Sequence, residues 1–237
     1  MKEPEQLVQV RDLGLIPYRE ALQVQTELRQ ELITAKRSQR ELPLADQVAP
    51  THHLLWCEHS PVFTLGKSGK RDHLLISEGE AQNRGIEFYP TSRGGDITYH
   101  GPGQIVCYPI LDLDCFFTDV HKYVRMLEEA VIRTLSDYDL AAMRIRDFTG
   151  VWLERDEELR KICAIGVHLS RWVTMHGFAL NVNTDLSHFN LIVPCGIDDE
   201  SKTVTTLERE IGRKVDLLEV KEKLGSHLAD LFPFRLI

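Results

Sequence analysis

A lysine and a cysteine in the second half of the chain have the types and surroundings for nucleophilic chemistry. Lys161 heads the apolar run Lys-Ile-Cys-Ala-Ile-Gly-Val-His, and Cys195 lies between proline and glycine in Val-Pro-Cys-Gly-Ile. A thiol attacks only as its thiolate, so its ordinary pKa of roughly 8.5 must be lowered by a nearby cation or base. A lysine brought beside it in space would do that. Proline restricts the backbone before the thiol and glycine after it admits a substrate carbonyl, so Cys195 is expected at an exposed loop edge. The competing reading makes Cys195 a small buried hydrophobe, the usual fate of a free cysteine. Cys163 is the rival nucleophile, two residues from Lys161 and on the same face of an alternating strand. Its neighbours Ile162, Ala164 and Ile165 suit packing better than attack, and Cys57, Cys107 and Cys115 read as structural.

The second stretch with chemical content is Arg93-Gly94-Gly95-Asp96-Ile97-Thr98-Tyr99-His100-Gly101-Pro102-Gly103-Gln104. Its glycines bare the backbone to a ligand, while Arg93, Asp96, Thr98, Tyr99 and His100 supply polar groups. Glycine serves plain turns equally well, so composition leaves both readings open.

The elements that must position these residues follow from periodicity. Lys161 to Leu169 reads as a strand, Ser170-Arg171 as a connection, and Val173 to Val182 as a strand running back beside the first, with Gly177 as a bulge. A polar loop from Asn183 to Asn190 then leads to Cys195. Earlier, Leu7 to Leu13 alternates as a strand. Pro17 opens a helix to about Arg40, with Ala21, Leu22, Leu28 and Leu32 on its apolar side. His52 to Leu65 reads as strands broken at Ser60-Pro61. There His53, Cys57 and His59 share a face, which raises a histidine–thiolate metal site, but no carboxylate or remote partner completes one and no metal is expected. Gly66 to Arg71 is glycine-rich and basic yet fails the phosphate-loop pattern, and reads as a mobile loop. Ile105 to Leu113 reads as a strand. Thr118 or Asp119 can cap a helix to about Asp137 with Val120, Tyr123, Val124, Leu127, Ala130, Val131 and Leu135 inward. Val151 to Leu153 is a further strand, Arg155 to Glu158 a charged turn, and Ser201 to Leu207 and Leu217 to Leu231 read as helical.

The 237 residues, 43% hydrophobic, suit one substantial core. Residues 1–237 are therefore taken as a single α+β domain, a mixed sheet packed by helices. Five cysteines without a CxxC pair indicate neither a disulfide framework nor a zinc ribbon. The start of the chain lacks a secretory signal and no run is long enough to span a bilayer, so a cytoplasmic protein without membrane contact is expected. A net charge of −8 argues against nucleic acid as a partner.

RGGDITYHGPGQ at 93–104, KICAIGVHL at 161–169, HGFALNVN at 176–183 and VPCGI at 193–197, together with EHSPVFTLG at 58–66, resemble the lipoyl(octanoyl) transferase family of lipoate biosynthesis. The resemblance spans most of the chain. It implies the fold shared by biotin and lipoate protein ligases, and an enzyme that moves an octanoyl group from the thioester on acyl carrier protein to a lysine of a lipoyl domain. The acceptors it implies are the lipoyl domains of 2-oxoacid dehydrogenase complexes and the glycine cleavage H protein, and it implies no cofactor. The family's nucleophile falls on Cys195 and its base on Lys161. Its acyl-substrate contacts fall on Arg93 to His100, on Ala164, Ile165 and Gly166, and on Gly177, Phe178 and Ala179. An apolar slot lined by Ile97, Ile165 and Phe178 would hold the acyl chain, worth roughly 5 to 6 kcal/mol for seven buried carbons. Lys67, Lys70 and Arg71 would help dock acidic partner domains. Two rivals remain at this point. One is an ATP-dependent lipoate or biotin ligase of the same fold, which needs no cysteine; the other is a protein that binds acyl chains or lipoyl domains without turnover.

Overall fold

The alternating start of the chain forms β1 (Gln6–Ile16), and Pro17 opens α1 (Tyr18–Gln39). The buried side of α1 carries Tyr18, Ala21, Gln25, Leu28, Leu32 and Ile33, the three-and-four spacing that turns one helical stripe toward a sheet. The computed structural model describes residues 6–43, 46–193 and 202–237. Among these, no helix is long and apolar enough to cross a membrane.

Strands dominate the middle of the chain. They are β2 (Thr51–His59), β3 (Val62–Leu65), β4 (Glu87–Pro90), β5 (Ile97–His100), β6 (Gln104–Ile110), β7 (Ala142–Ile145), β8 (Phe148–Arg155), β9 (Glu158–Ser170) and β10 (Val173–Asn181). Two helices are interposed, the short α2 (Glu78–Asn83) and the long α3 (Val120–Ser136), the latter capped by the Asp119 carboxylate accepting from the Lys122 amide at 2.9 Å. The chain closes with β11 (Lys202–Val204), α4 (Leu207–Ile211), α5 (Leu217–Leu231) and β12 (Phe234–Leu236).

Nine strands form one mixed sheet in the order β12-β1-β2-β6-β10-β9-β8-β7, with β11 added beside β9; β4-β3-β5 form a separate small sheet. The central strands β6 and β10 are buried along their whole length, as strands covered on both faces must be. One face of the large sheet packs on α3 and α5 around Leu127, Val131, Leu224 and Phe232. The other face receives α1 around Leu28, Leu32, Leu55 and Tyr108. The small sheet has its own core of Phe63, Ile86, Ile97 and Tyr99.

Three local departures from the sequence reading have physical causes. Residues 202–204 form a strand and not the start of a helix, because the β-branched run Thr203-Val204 pairs in parallel with Arg160-Lys161 of β9. Gly177 is not a bulge: it pairs in register with Gly166, and its missing side chain makes room for Cys107, whose carbonyl would lie 2.1 Å from a Cβ there. Val120 is exposed at the first turn of α3 and Val124 only partly buried, although the other expected core positions Tyr123, Leu127, Ala130, Val131 and Leu135 are buried. The Gly66–Arg71 segment is held against residues 93–96 by three backbone hydrogen bonds, from the Gly66, Lys67 and Ser68 amides. Arg71 is engaged by Glu78 at 2.6 Å.

Candidate active site

The fourth departure makes the site. Between Val151↔Cys163 and Trp152↔Lys161 the β8–β9 register slips by one, so β9 carries an extra residue at Ile162. A bulge of this kind breaks the alternation of faces. Ile162 and Cys163 both turn into the α3–α5 core, while Lys161 and Ala164 both face a cavity on the opposite side. Lys161 and Cys163 therefore do not share a face. Cys163 is fully buried, and burial pushes its thiol pKa up, as it does for Cys57 and Cys107. None of these three thiols is suited to attack.

The cavity has a volume of about 350 Å³, within the range of small-ligand sites. Lys161, Ala164, Ile165 and Gly166 from β9 form one wall, with Gly177, Phe178 and Ala179 from β10 beside them. Arg93, Gly95, Asp96, Thr98 and His100 close it from the loop and from β5. The structure thus gathers most of the expected site residues around one space. Strand alternation excludes two: Thr98 and His100 face the cavity, whereas Ile97 and Tyr99 point into the small-sheet core with Phe63 and Phe189. The apolar slot expected at Ile97, Ile165 and Phe178 is built instead by Val106, Tyr108 and Tyr18 with Ala164 and Ala179, because Ile165 and Phe178 pair across β9–β10 and turn their side chains into the α3–α5 core. Gly94 uses its bare backbone to dock on β9, its amide donating to the Val167 carbonyl at 2.9 Å; a Cβ on Gly166 would lie 2.8 Å from the Gly94 oxygen. Cys195 lies outside the described residues, which stop at Val193 and resume at Lys202.

Lys161 is held rather than loose. It is 7% exposed, its Nζ lies 4.9 Å from the centre of the Trp152 ring, and its Cε packs against Gly150. Gly150 has φ 125°, and a side chain there would sit 2.8 Å from Lys161 Cε and 2.5 Å from the Cys163 carbonyl. The buried Glu128 carboxylate accepts from the Gly150 amide at 3.0 Å and is balanced by Arg125 and Arg144 at 2.7 and 3.1 Å. So α3 fixes the backbone on which the lysine stem rests.

A directed chain of hydrogen bonds ties the glycine-rich loop to Lys161. Arg93 donates to Thr64 Oγ1 at 3.0 Å and to the Thr64 and Asp96 carbonyls. The Thr64 hydroxyl donates to His100 Nε2 at 3.3 Å, and His100 Nδ1 donates to Gln104 Oε1 at 2.7 Å. Gln104 donates to Asn181 Oδ1 at 2.8 Å, Asn181 to the Thr205 carbonyl at 3.1 Å, and the Thr205 amide to the Lys161 carbonyl at 2.9 Å. Every donor meets an acceptor only if His100 is neutral. Burial, with His59 and Arg93 adding to it, drives its pKa well below the ordinary value.

His59 and His176 behave alike. Burial lowers His59 to about 4; burial and then Arg93 lower His176 to about 3. His59 Nδ1 donates to the Ile16 carbonyl at 2.9 Å, and its Nε2 accepts from the Tyr108 hydroxyl at 2.7 Å. Unfolded, these imidazoles titrate near 6.5. A folded-state pKa below the unfolded one gives stability that is complete above about pH 6.5 and is lost as pH falls through the window down to about 4, because the unfolded chain takes up the protons. Each neutral histidine should cost on the order of 1 kcal/mol per pH unit there. The thermal midpoint is expected to drop by several degrees between about pH 6.5 and 5, with His59→Gln flattening the dependence; calorimetry showing a flat profile in the unaltered protein would mean these imidazoles are charged in the fold.

Tyr18, Tyr108, Ser68 and His176 line the cavity without having been singled out as ligand contacts from the sequence. His176 stands inside a motif already noted, next to Gly177; Tyr18 and Tyr108 carry no local signal, since both sit in ordinary amphipathic elements. A larger open groove of about 950 Å³ near Lys36, Arg40, Asp112 and Asp114 contains none of the residues above. Its charges are spent on one another, with Lys36 2.6 Å from Asp112 and Arg40 3.0 Å from Asp114.

Residues 17–229 match the lipoyl protein ligase A/B catalytic domain. An octanoyltransferase of Cytophaga hutchinsonii is 55% identical over 99% of this chain and 96% of its own length, and one of Christiangramia forsetii is 53% identical over 97% of each. Among solved structures, the bi-partite lipoate protein ligase of Thermoplasma acidophilum superposes with a TM-score of 0.63 at 17% identity, covering 98% of this chain and 87% of that one, a likeness of fold. With the bulge-set lysine, the cavity it lines and these full-length relatives, the chain belongs to the octanoyltransferases, acyl-transferring enzymes built on the lipoyl protein ligase A/B catalytic domain.

Proposed function

We propose that the cavity binds the octanoyl chain of a thioester carried by acyl carrier protein, and that the octanoyl group passes through Cys195 to a lysine of a lipoyl domain. Lys161 Nζ takes the Cys195 proton, the thiolate attacks the thioester, and the carrier thiolate leaves with the proton returned by Lys161. Thioester is exchanged for thioester, so the step needs no ATP. The lipoyl-domain amine then attacks the acyl-enzyme and the amide forms. The observation that carries this reading is a buried lysine set by a strand bulge into the wall of a partly apolar, 350 Å³ cavity.

The ligase-type fold keeps the ATP-dependent reading in play as an outcome of the test. Protein incubated with octanoyl carrier protein alone, without nucleotide or magnesium, is expected to gain one octanoyl group by intact mass and to lose it when a lipoyl domain is added. Transfer that appears only with ATP and free octanoate would overturn the proposal in favour of an adenylating ligase. A loaded cavity with no turnover in either condition would leave a binding protein.

A further inference from the structure

We infer that His73, held by Asp96, is the acceptor that carries the amine's surplus proton out to solvent in the second half of the reaction; the inference rests on the acyl-enzyme reading above. Protons balance differently in the two halves. In the first, Cys–SH and the carrier thioester become the acyl-enzyme and the carrier thiol, with no net proton. In the second, R–NH3⁺ and the acyl-enzyme become the amide, Cys–SH and one H⁺. Nitrogen gives up two protons there, one before attack and one as the tetrahedral adduct collapses, while sulfur takes back one. Lys161 can pass a single proton from nitrogen to sulfur and finish as it began. The other proton needs a second acceptor with a way out.

Lys161 is poorly placed for export, being 7% exposed between Gly150 and Trp152. His73 has the geometry for it. Its Nδ1 donates to Asp96 Oδ2, and Asp96, itself 8% exposed, lines the cavity that Lys161 lines. Asp96 Oδ1 is fixed by the Ile97 amide at 2.7 Å, so the carboxylate sets the ring's tautomer and leaves Nε2 as the basic nitrogen. The His73 side chain keeps 22% exposure, so a proton taken there reaches water. A second link is independent of the first. The His73 carbonyl accepts from the Val193 amide at 2.8 Å, and Leu74 bridges Ile192, which joins the segment leading to Cys195 to the backbone of this histidine. An imidazole whose tautomer is fixed by a carboxylate is the arrangement general-base catalysis calls for.

The test separates the half-reactions. His73→Asn retains a nitrogen that can donate to Asp96 in place of Nδ1 and removes Nε2. Acylation of this variant by octanoyl carrier protein, followed by intact mass, is expected at the unaltered rate, while discharge to a lipoyl domain slows about 100-fold. Free imidazole should restore discharge in His73→Gly. Discharge of His73→Asn at the unaltered rate overturns the inference, as does an equal loss in both halves, which is what a purely structural histidine would give. Failure of the unaltered protein to form any adduct would fell the acyl-enzyme reading and this inference with it.

Discussion

Cys195→Ala is expected to abolish the octanoyl adduct and to lower turnover by at least about a thousandfold, because the route through an acyl-enzyme is lost entirely. Any residual transfer would require the incoming amine to meet the carrier thioester directly in the cavity, without a covalent hold on the acyl group. Cys195→Ser should do little better, since a hydroxyl is a far weaker nucleophile at neutral pH than a thiol assisted by a base. Cys163→Ala is the informative control. Cys163 is fully buried on the α3–α5 side of the bulge with its thiol pKa raised, so its loss should cost some packing and leave the adduct intact. Intact mass with octanoyl carrier protein reads all three variants. An adduct that survives in Cys195→Ala and vanishes in Cys163→Ala would place the nucleophile on the wrong strand for everything proposed above.

The second large effect belongs to Lys161→Met. Methionine fills the space along Gly150 and Trp152 that the lysine stem occupies, so the fold should persist while the proton acceptor goes. Acylation and discharge should both fall by about 10² to 10⁴, the range for loss of a general base. Raising the pH should partly restore acylation, because the thiolate then forms without help, and should raise it less in the unaltered protein. Lys161→Arg is expected to be no better than methionine. A guanidinium does not give up its proton in a protein, so an arginine there has no base to offer even where it stacks on the Trp152 ring. Rapid-quench measurement of the two half-reactions decides the matter. A Lys161→Met protein that acylates at the unaltered rate would remove the lysine from the mechanism.

Much of the architecture was legible because it is local. The proline that opens α1, the Asp119 cap of α3, the alternation of β1 and the antiparallel β9–β10 pair all follow from side chains within a few residues of one another. The motif residues were legible as a group for a different reason: bare glycine backbone set among an arginine, a lysine and histidines serves a plain core poorly and suits contact with a ligand. Which of them would face the cavity was not legible. β5 carries Ile97, Thr98, Tyr99 and His100 in a row, and only the β3–β5 pairing decides that Thr98 and His100 turn toward Arg93 while Ile97 and Tyr99 pack with Phe63.

By itself, then, the order of residues determined the mixed α+β class, most element positions and the short set of side chains from which a site could be assembled. Hydrophobic period, caps and breakers act within a turn or a strand and are written in adjacent letters. Tertiary structure alone decided that Ile162 would be squeezed out of the β8–β9 register, turning Lys161 away from Cys163 and toward the cavity. It alone decided that 202–204 would pair as a strand beside that lysine, and that His73 would reach Asp96 across 23 residues of chain. Each of these depends on which distant backbone supplies the hydrogen-bonding partner, a choice made by packing over the whole sheet and carried by no single stretch of sequence.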